Sequence, residues 1–149
     1  MKTIKDYFDI SELVDKTVYD TYGESAWKFL DKIALQCLLI VREGIGKRMT
    51  CNNWKSGGPY DERGLRTNIS PLVKKKTILY LSAHLFGKGF DFDVEGMTST
   101  EVRAWIVANA TKFPCKIRLE RNKAGEHISW THLDTMAGEK DPQVLQFDV

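Results

Sequence analysis

The chain has 149 residues, of which 42% are apolar and 28% charged, and its formal net charge is +2. This length suits one domain with a single core, and the aromatic content of 11% excludes a low-complexity disordered chain. The near-neutral charge gives no electrostatic case for a nucleic-acid partner, and the one basic cluster, Lys74-Lys75-Lys76, is expected at a solvated surface.

The cysteines and the N-terminus indicate the compartment. Cys37, Cys51 and Cys115 are odd in number and form no CxxC pair, which argues against a disulfide framework. The N-terminus is charged and lacks an apolar segment, so no secretory signal is visible, and no apolar run is long enough to span a membrane. We expect a monomer that is made in the cytoplasm and has no membrane partner.

The first part of the chain, about residues 1–46, has helical patterns. Asp9-Ile10-Ser11-Glu12 has the spacing of a capping box and predicts a short helix. Between Glu24 and Glu43, apolar residues recur at three- and four-residue steps, which predicts one long amphipathic helix. Gly44 and Gly46 follow and are expected to end it.

From about residue 47 the pattern changes to short strands and irregular loops. Arg48–Trp54 is interpreted as a short strand, followed by a loop rich in glycine, proline and asparagine. Alternation predicts a strand at Phe90–Val94, and a second capping box, Thr98-Ser99-Thr100-Glu101, predicts the start of a helix.

The last third of the chain predicts a hairpin and an edge strand. Lys116–Glu120 and Ile128–Leu133 are expected to pair antiparallel across a turn at Gly125. Val144–Val149 is expected to add an edge strand. The chain is thus predicted to form one α+β domain, residues 1–149, with N-terminal helices packed on a small antiparallel sheet.

All three histidines of the chain fall in two short segments, Ser82–Asp91 and Glu126–Asp134. A catalytic zinc site uses three protein ligands and keeps a fourth position for water. His84, Asp91 and His132 offer two nitrogens and an oxygen. The carboxylate of Asp91, between two phenylalanines, must face solvent or pair with a cation or a metal. On the residues alone this site is a suggestion, because a single histidine is more commonly a surface or core residue.

Three motifs in the same order resemble the zinc D-Ala-D-Ala peptidases. The segment Ser82–Asp91 resembles the family signature SxHxxGxAxD, with Gly89 in place of the usual alanine. Trp130–Asp134 is similar to the aromatic-x-His-x-Asp segment of the YcbK-like branch, and Gly64–Asn68 resembles the family's Gly-Tyr-Arg-Ser motif. The resemblance covers about residues 50 to 135.

The resemblance implies the small α+β fold that these peptidases share with the Hedgehog signalling domain, in which an antiparallel sheet holds one zinc ion. Carried over residue by residue, the zinc ligands are His84, Asp91 and His132.

The resemblance also implies roles for four neighbouring residues. Ser82 and Asp134 would lie beside the ligands as hydrogen-bond partners. Arg66, and after it Arg63, would contact a substrate carboxylate or carbonyl, because a guanidinium offers a fork that fits a carboxylate.

The catalytic base is where this sequence departs from the better-known members, which carry Glu or Asp three residues before the second zinc histidine. Ser129 occupies that slot here, and a serine cannot act as a carboxylate base. Strand alternation favours Glu126, which would share a face with His132, whereas a bulge would favour His127. Both assignments stay open, as does the alternative that both residues only solvate a turn.

The expected function is a zinc-dependent peptidase that hydrolyses peptidoglycan stem or cross-link peptides, as a carboxypeptidase or an endopeptidase. By analogy with the family, it would be a phage lysis enzyme that acts on the cell wall after release, or one carried within a virion. The alternative is a zinc-containing binding or structural module without turnover, such as a virion component, which the serine in the acidic slot favours.

Overall fold

Four α-helices and five β-strands form an α+β fold in the computed structural model, which describes residues 1–137 and 143–149. The helices are α1 (Lys16–Tyr22), α2 (Lys32–Ile45), α3 (Pro71–Lys74) and α4 (Ser99–Ala108). The strands are β1 (Met49–Thr50), β2 (Gly89–Val94), β3 (Ile117–Lys123), β4 (Glu126–Asp134) and β5 (Val144–Asp148). Among the described residues, no helix has the length and apolar character needed to cross a membrane.

Both predicted capping boxes are confirmed. Asp9 and Glu12 form a capping box at the start of a 3₁₀ helix, Ile10–Glu12. Thr98 and Glu101 do the same at the start of α4, where each side chain accepts a hydrogen bond from the other residue's backbone N–H. A box of this kind satisfies two backbone donors that a helix start leaves without partners.

The prediction of one long helix from Glu24 is wrong in its first part. Gly23–Phe29 forms a 3₁₀ helix, and α2 begins only at Lys32. Asp31 caps α2, because its carboxylate accepts a hydrogen bond from the backbone N–H of Ala34 at 2.9 Å. The helix ends as expected near the glycines, with Gly46 at φ 74°.

The strands form one mixed sheet in the order β1-β2-β4-β3-β5. The first four strands pair antiparallel, as predicted, but β5 runs parallel to β3. The chain leaves β4 at Asp134, which lies opposite Arg118 near the start of β3, and β5 begins beside Ile117. Because β5 starts at the same end as β3, it runs in the same direction.

A β-bulge interrupts the β3–β4 hairpin. His132 lies opposite Glu120, but the next paired residues are His127 and Asn122, so five steps along β4 match two along β3. The sequence leaves regular alternation and a bulge both open here, and the bulge changes which residues of the two strands face each other.

The sheet separates an apolar core from a polar face. Residues of the N-terminal helices and of the sheet share one hydrophobic core. In β2, Phe90 and Phe92 are fully buried in this core, and Asp91 between them points to the other face. The candidate site lies on that polar face, at the centre of the sheet.

Candidate metal centre

His84 is buried in a 3₁₀ helix at Ala83–Phe86, and its ring is fixed by one hydrogen bond. Nδ1 lies 2.9 Å from the carbonyl oxygen of Gly64. A carbonyl only accepts, so Nδ1 carries a proton, and Nε2 is the nitrogen that faces Asp91. A Cβ at Gly64 would meet the Leu13 backbone oxygen at 2.1 Å, so only glycine lets the two backbone segments of Gly64 and Leu13 pack this closely.

Strand pairing brings the other two predicted ligands together. Asp91 on β2 lies directly opposite His132 on β4, and Asp91 Oδ1 is 2.8 Å from His132 Nδ1. Asp91 Oδ2 is 3.3 Å from His84 Nε2. One potential ligand atom from each of the three buried side chains lies within 4.8 Å of the others. The group therefore has the spacing and the N, O and N donors to hold a metal ion.

The pKa shifts of Asp91 and His132 describe an ionised carboxylate beside a protonated imidazole. Burial alone raises the pKa of Asp91, but the neighbouring His84 and His132 outweigh burial and hold this pKa well below its usual range. Burial alone lowers the pKa of His132, but hydrogen bonds to Asp134 and Asp91 raise it to about 9. The carboxylate is thus ionised and buried, and it requires a positive partner, either an imidazolium or a metal ion.

Asp134 is fully buried behind His132, where the sequence predicts a hydrogen-bond partner. Its Oδ2 lies 2.7 Å from His132 Nε2, so this nitrogen donates to the carboxylate and Nδ1 is left to face Asp91. Arg118 donates two hydrogen bonds to the same carboxylate, at 2.8 and 3.0 Å, and Met136 donates its backbone N–H. Carboxylates behind metal-binding histidines orient the ring in this way.

Ser82 and the three candidate ligands line one cavity of about 240 Å³. The buried Ser82 hydroxyl has no hydrogen-bond partner among the described residues. A buried hydroxyl without a partner is costly, and a group that enters the cavity would supply the missing partner. The orphaned hydroxyl, the tautomer of His84 and the donor set all fit a bound metal ion and its ligands.

Arg66 forms part of the cavity wall beside the cluster. Its Nη2 lies 3.3 Å from Asp91 Oδ2, and its Nε donates to the carbonyl oxygen of Glu62 at 2.6 Å. Its Nη1 lies 3.4 Å from the hydroxyl oxygen of Tyr80. The guanidinium is thus held next to the candidate metal position, where the sequence predicts a substrate contact.

Arg63 is close to the site but already has partners. Its Nη1 lies 2.6 Å from Asp93 Oδ2, and its guanidinium stacks 3.5 Å from the centre of the Tyr60 ring. The Arg63 carbonyl accepts a 2.7 Å hydrogen bond from the backbone N–H of Asp91. Its clearest contribution in the structure is to hold Asp91 in place.

The structure does not bring Glu126 or His127 to the cavity. Glu126 is exposed at the hairpin turn, opposite Lys123, three residues along β3 from the level of His132. Three strand residues span about 10 Å. His127 contacts Thr100 on α4 at 2.9 Å, away from the ligands. Contrary to the expectation, neither residue lines the cavity, because the bulge breaks the alternation between Glu126 and His132 and the His127 ring is held by Thr100 and Arg103 of α4.

Glu120 is the carboxylate that sequence reasoning missed. It lies directly opposite His132, is half-buried and lines the same cavity as the ligands. Burial raises the pKa of its carboxyl above the usual value, and His132 partly offsets this rise. The available signal is the alternation of Lys116–Glu120, in which Arg118 and Glu120 lie on the face opposite to Ile117 and Leu119. A regular hairpin would not have paired Glu120 with His132.

Comparisons with protein-family models, with curated proteins and with solved structures find no match to this chain. The fold and the site therefore define a class only: an α+β protein with a buried His-Asp-His group that could hold a metal ion.

Proposed function

We propose that the protein is a zinc-dependent peptidase that hydrolyses peptide bonds of peptidoglycan stem or cross-link peptides. The observation that carries this proposal is the convergence of His84, Asp91 and His132 at a cavity that opens to solvent. Two histidine nitrogens and one carboxylate oxygen are a ligand set that zinc hydrolases use, and they leave a fourth position for water.

Zinc bound there would polarise the scissile carbonyl and activate a water molecule near neutral pH. The protein's own contribution is to fix the three ligands. Asp134 holds the His132 ring in the tautomer that leaves Nδ1 for the metal, and the Gly64 carbonyl does the same for Nε2 of His84.

Glu120 is the group proposed to take the proton from the attacking water and to return it to the leaving amine. It is the carboxylate directly across the sheet from His132, inside the cavity, and its partial burial raises its pKa towards the range in which a carboxylate exchanges protons readily. This assignment replaces Glu126 and His127, and it supplies the carboxylate that Ser129 does not.

Cationic side chains of the cavity wall are proposed to bind a carboxylate of the substrate. Arg66, Arg118 and Lys123 line the cavity, and the first two are paired with Asp91 and Asp134. Peptidoglycan stem peptides carry free carboxylates that such groups bind. Arg66 is the residue proposed to orient the substrate, because its fork lies closest to Asp91.

A second candidate function is a zinc-containing binding or structural module, for example in a phage virion. The observation that favours it is Ser129, which stands where the resembling peptidases carry an acid. The two candidates share the metal and the cavity, and they differ in turnover.

Digestion of purified peptidoglycan separates the two functions. We expect the purified protein to release new amino groups and defined peptides, with activity lost on chelation and restored by zinc. The control is His84→Ala, which should be inactive under all these conditions. A folded, zinc-loaded wild-type protein that cleaves neither intact peptidoglycan nor its isolated stem peptides would contradict the peptidase and favour the binding module.

A further inference from the structure

The stretch from Arg63 to Phe90 is strongly basic in a chain whose overall net charge is only +2. It contains six Lys and Arg residues and no Asp or Glu. The densest part is Lys74-Lys75-Lys76. It begins at the last residue of α3, and all three lysines are exposed. Arg63 and Arg66 are paired with Asp93 and Asp91, so it is the exposed lysine cluster that can attract an anionic surface.

Three aliphatic side chains protrude directly after these lysines. Ile78, Leu79 and Leu81 are 79%, 86% and 64% exposed, more than any other large hydrophobic residue within the described chain apart from Met1 and Val149 at its termini. They lie in an irregular stretch between α3 and the 3₁₀ helix of His84. A cluster of protruding aliphatic side chains on a protein surface usually marks an interaction site.

We propose that Lys74–Leu81 docks on the surface of an anionic lipid bilayer. The three aliphatic side chains enter the headgroup region, and the lysines lie at the level of the lipid phosphates. Basic residues next to apolar side chains are the pattern of segments that lie on a membrane without spanning it. The absence of a spanning run, on which the sequence prediction of no membrane partner rests, does not bear on this mode of binding.

The composition of the segment favours a bilayer over the other anionic partners. The cores of protein–protein interfaces are depleted in lysine and enriched in aromatic residues and arginine, unlike this segment. A nucleic acid or an anionic polysaccharide would neutralise the lysines but would leave the protruding aliphatic side chains in water.

Tyr80 connects this segment to the metal cavity. Unlike its neighbours it is turned inward, where its hydroxyl accepts a hydrogen bond from Arg66 and Lys76 lies over its ring. Tyr80, Leu81 and Ser82 all line the cavity. Docking would therefore bring the mouth of the cavity to the bilayer surface. The proposal does not rest on the peptidase function, since binding to lipid requires no turnover.

Vesicle co-sedimentation tests this proposal with the full chain. We expect the protein to bind vesicles of phosphatidylglycerol mixed with phosphatidylcholine, and not phosphatidylcholine alone, and to bind less as salt increases. Two triple variants should each lower the bound fraction by about tenfold: Lys74→Gln with Lys75→Gln and Lys76→Gln, and Ile78→Ser with Leu79→Ser and Leu81→Ser.

The matched control changes three exposed lysines outside the segment, Lys2→Gln, Lys32→Gln and Lys47→Gln, and so alters the net charge equally. It should bind like the wild type. The proposal is overturned if the wild type ignores anionic vesicles, if the control loses as much binding as the lysine variant, or if the aliphatic variant binds normally. If the wild-type protein does not bind anionic vesicles, the segment is instead expected to bind a protein partner. Circular dichroism verifies that each variant is folded.

Discussion

The two ends of β4 carry the same kinds of residue in opposite environments. Thr131–Asp134 is buried and lies between β2 and β3, so His132 and Asp134 are held from both sides. Glu126 and His127 pair only with the last residues of β3 and are exposed at the turn. In this protein the residues held between two strands include the candidate ligand His132, and those at the hairpin tip lie outside the candidate site.

The bulge between these two ends decides which carboxylate lies at the cavity. Without it, the alternation of β4 would carry Glu126 along the same face as His132. With it, Glu120 of β3 lies across from His132, and His127 turns to α4. The site is therefore built from neighbouring strands, and the following experiments test the contrast between the two ends.

The largest effect is expected for Glu120→Gln. Glutamine keeps the shape of the side chain but cannot accept a proton, so we expect kcat on peptidoglycan peptides to fall about 10²- to 10⁴-fold with zinc retained. Glu126→Gln at the hairpin tip is the matched control and should leave kcat unchanged. An inactive Glu126→Gln beside an active Glu120→Gln would reverse the roles assigned to the two ends.

A smaller effect is expected for Asp134→Asn, which weakens the hold on the His132 ring. We expect zinc affinity to fall about 10- to 100-fold, measured by competition with a chromophoric chelator. Asp148→Asn is the matched control, because Asp148 also binds an arginine, Arg121, through two hydrogen bonds but is exposed and is not among the residues that line the cavity. Equal zinc affinity in the two variants would show that Asp134 does not act on the site.

The smallest effect is expected for His127→Ala. The ring loses its surface hydrogen bonds to Thr100 and Asn122 and its contact with the buried guanidinium of Arg103, so the free energy of unfolding should fall by about 1–2 kcal/mol. Chemical denaturation measures this change, and peptidase activity should match the wild type. A large loss of activity with unchanged stability would return His127 to the catalytic role that the sequence left open.

Local signals in the sequence predicted much of the fold. Both capping boxes, the alternation of β2 and the glycines after α2 depend on neighbouring residues, and the structure bears them out. The late start of α2 also has a local signal, because Asp31 is a residue type that commonly caps helices. The apolar periodicity on both sides of Asp31 concealed this signal.

The register of the sheet could not be predicted in the same way. The bulge in the β3–β4 hairpin and the parallel direction of β5 depend on pairing between distant residues. The motifs pointed to His84, Asp91 and His132, which the structure brings together. They did not point to Glu120, because its place at the site exists only through the bulged register.

Metal analysis of the purified protein tests the central claim most directly. The protein is dialysed against zinc, freed of excess metal and measured by mass spectrometry, alongside Asp91→Asn, which keeps the size of the side chain and removes its charge. We expect close to one zinc per chain in the wild type and far less in the folded variant. A folded wild-type protein that retains no zinc, or a variant that retains as much, would contradict the assignment of His84, Asp91 and His132 as a metal centre.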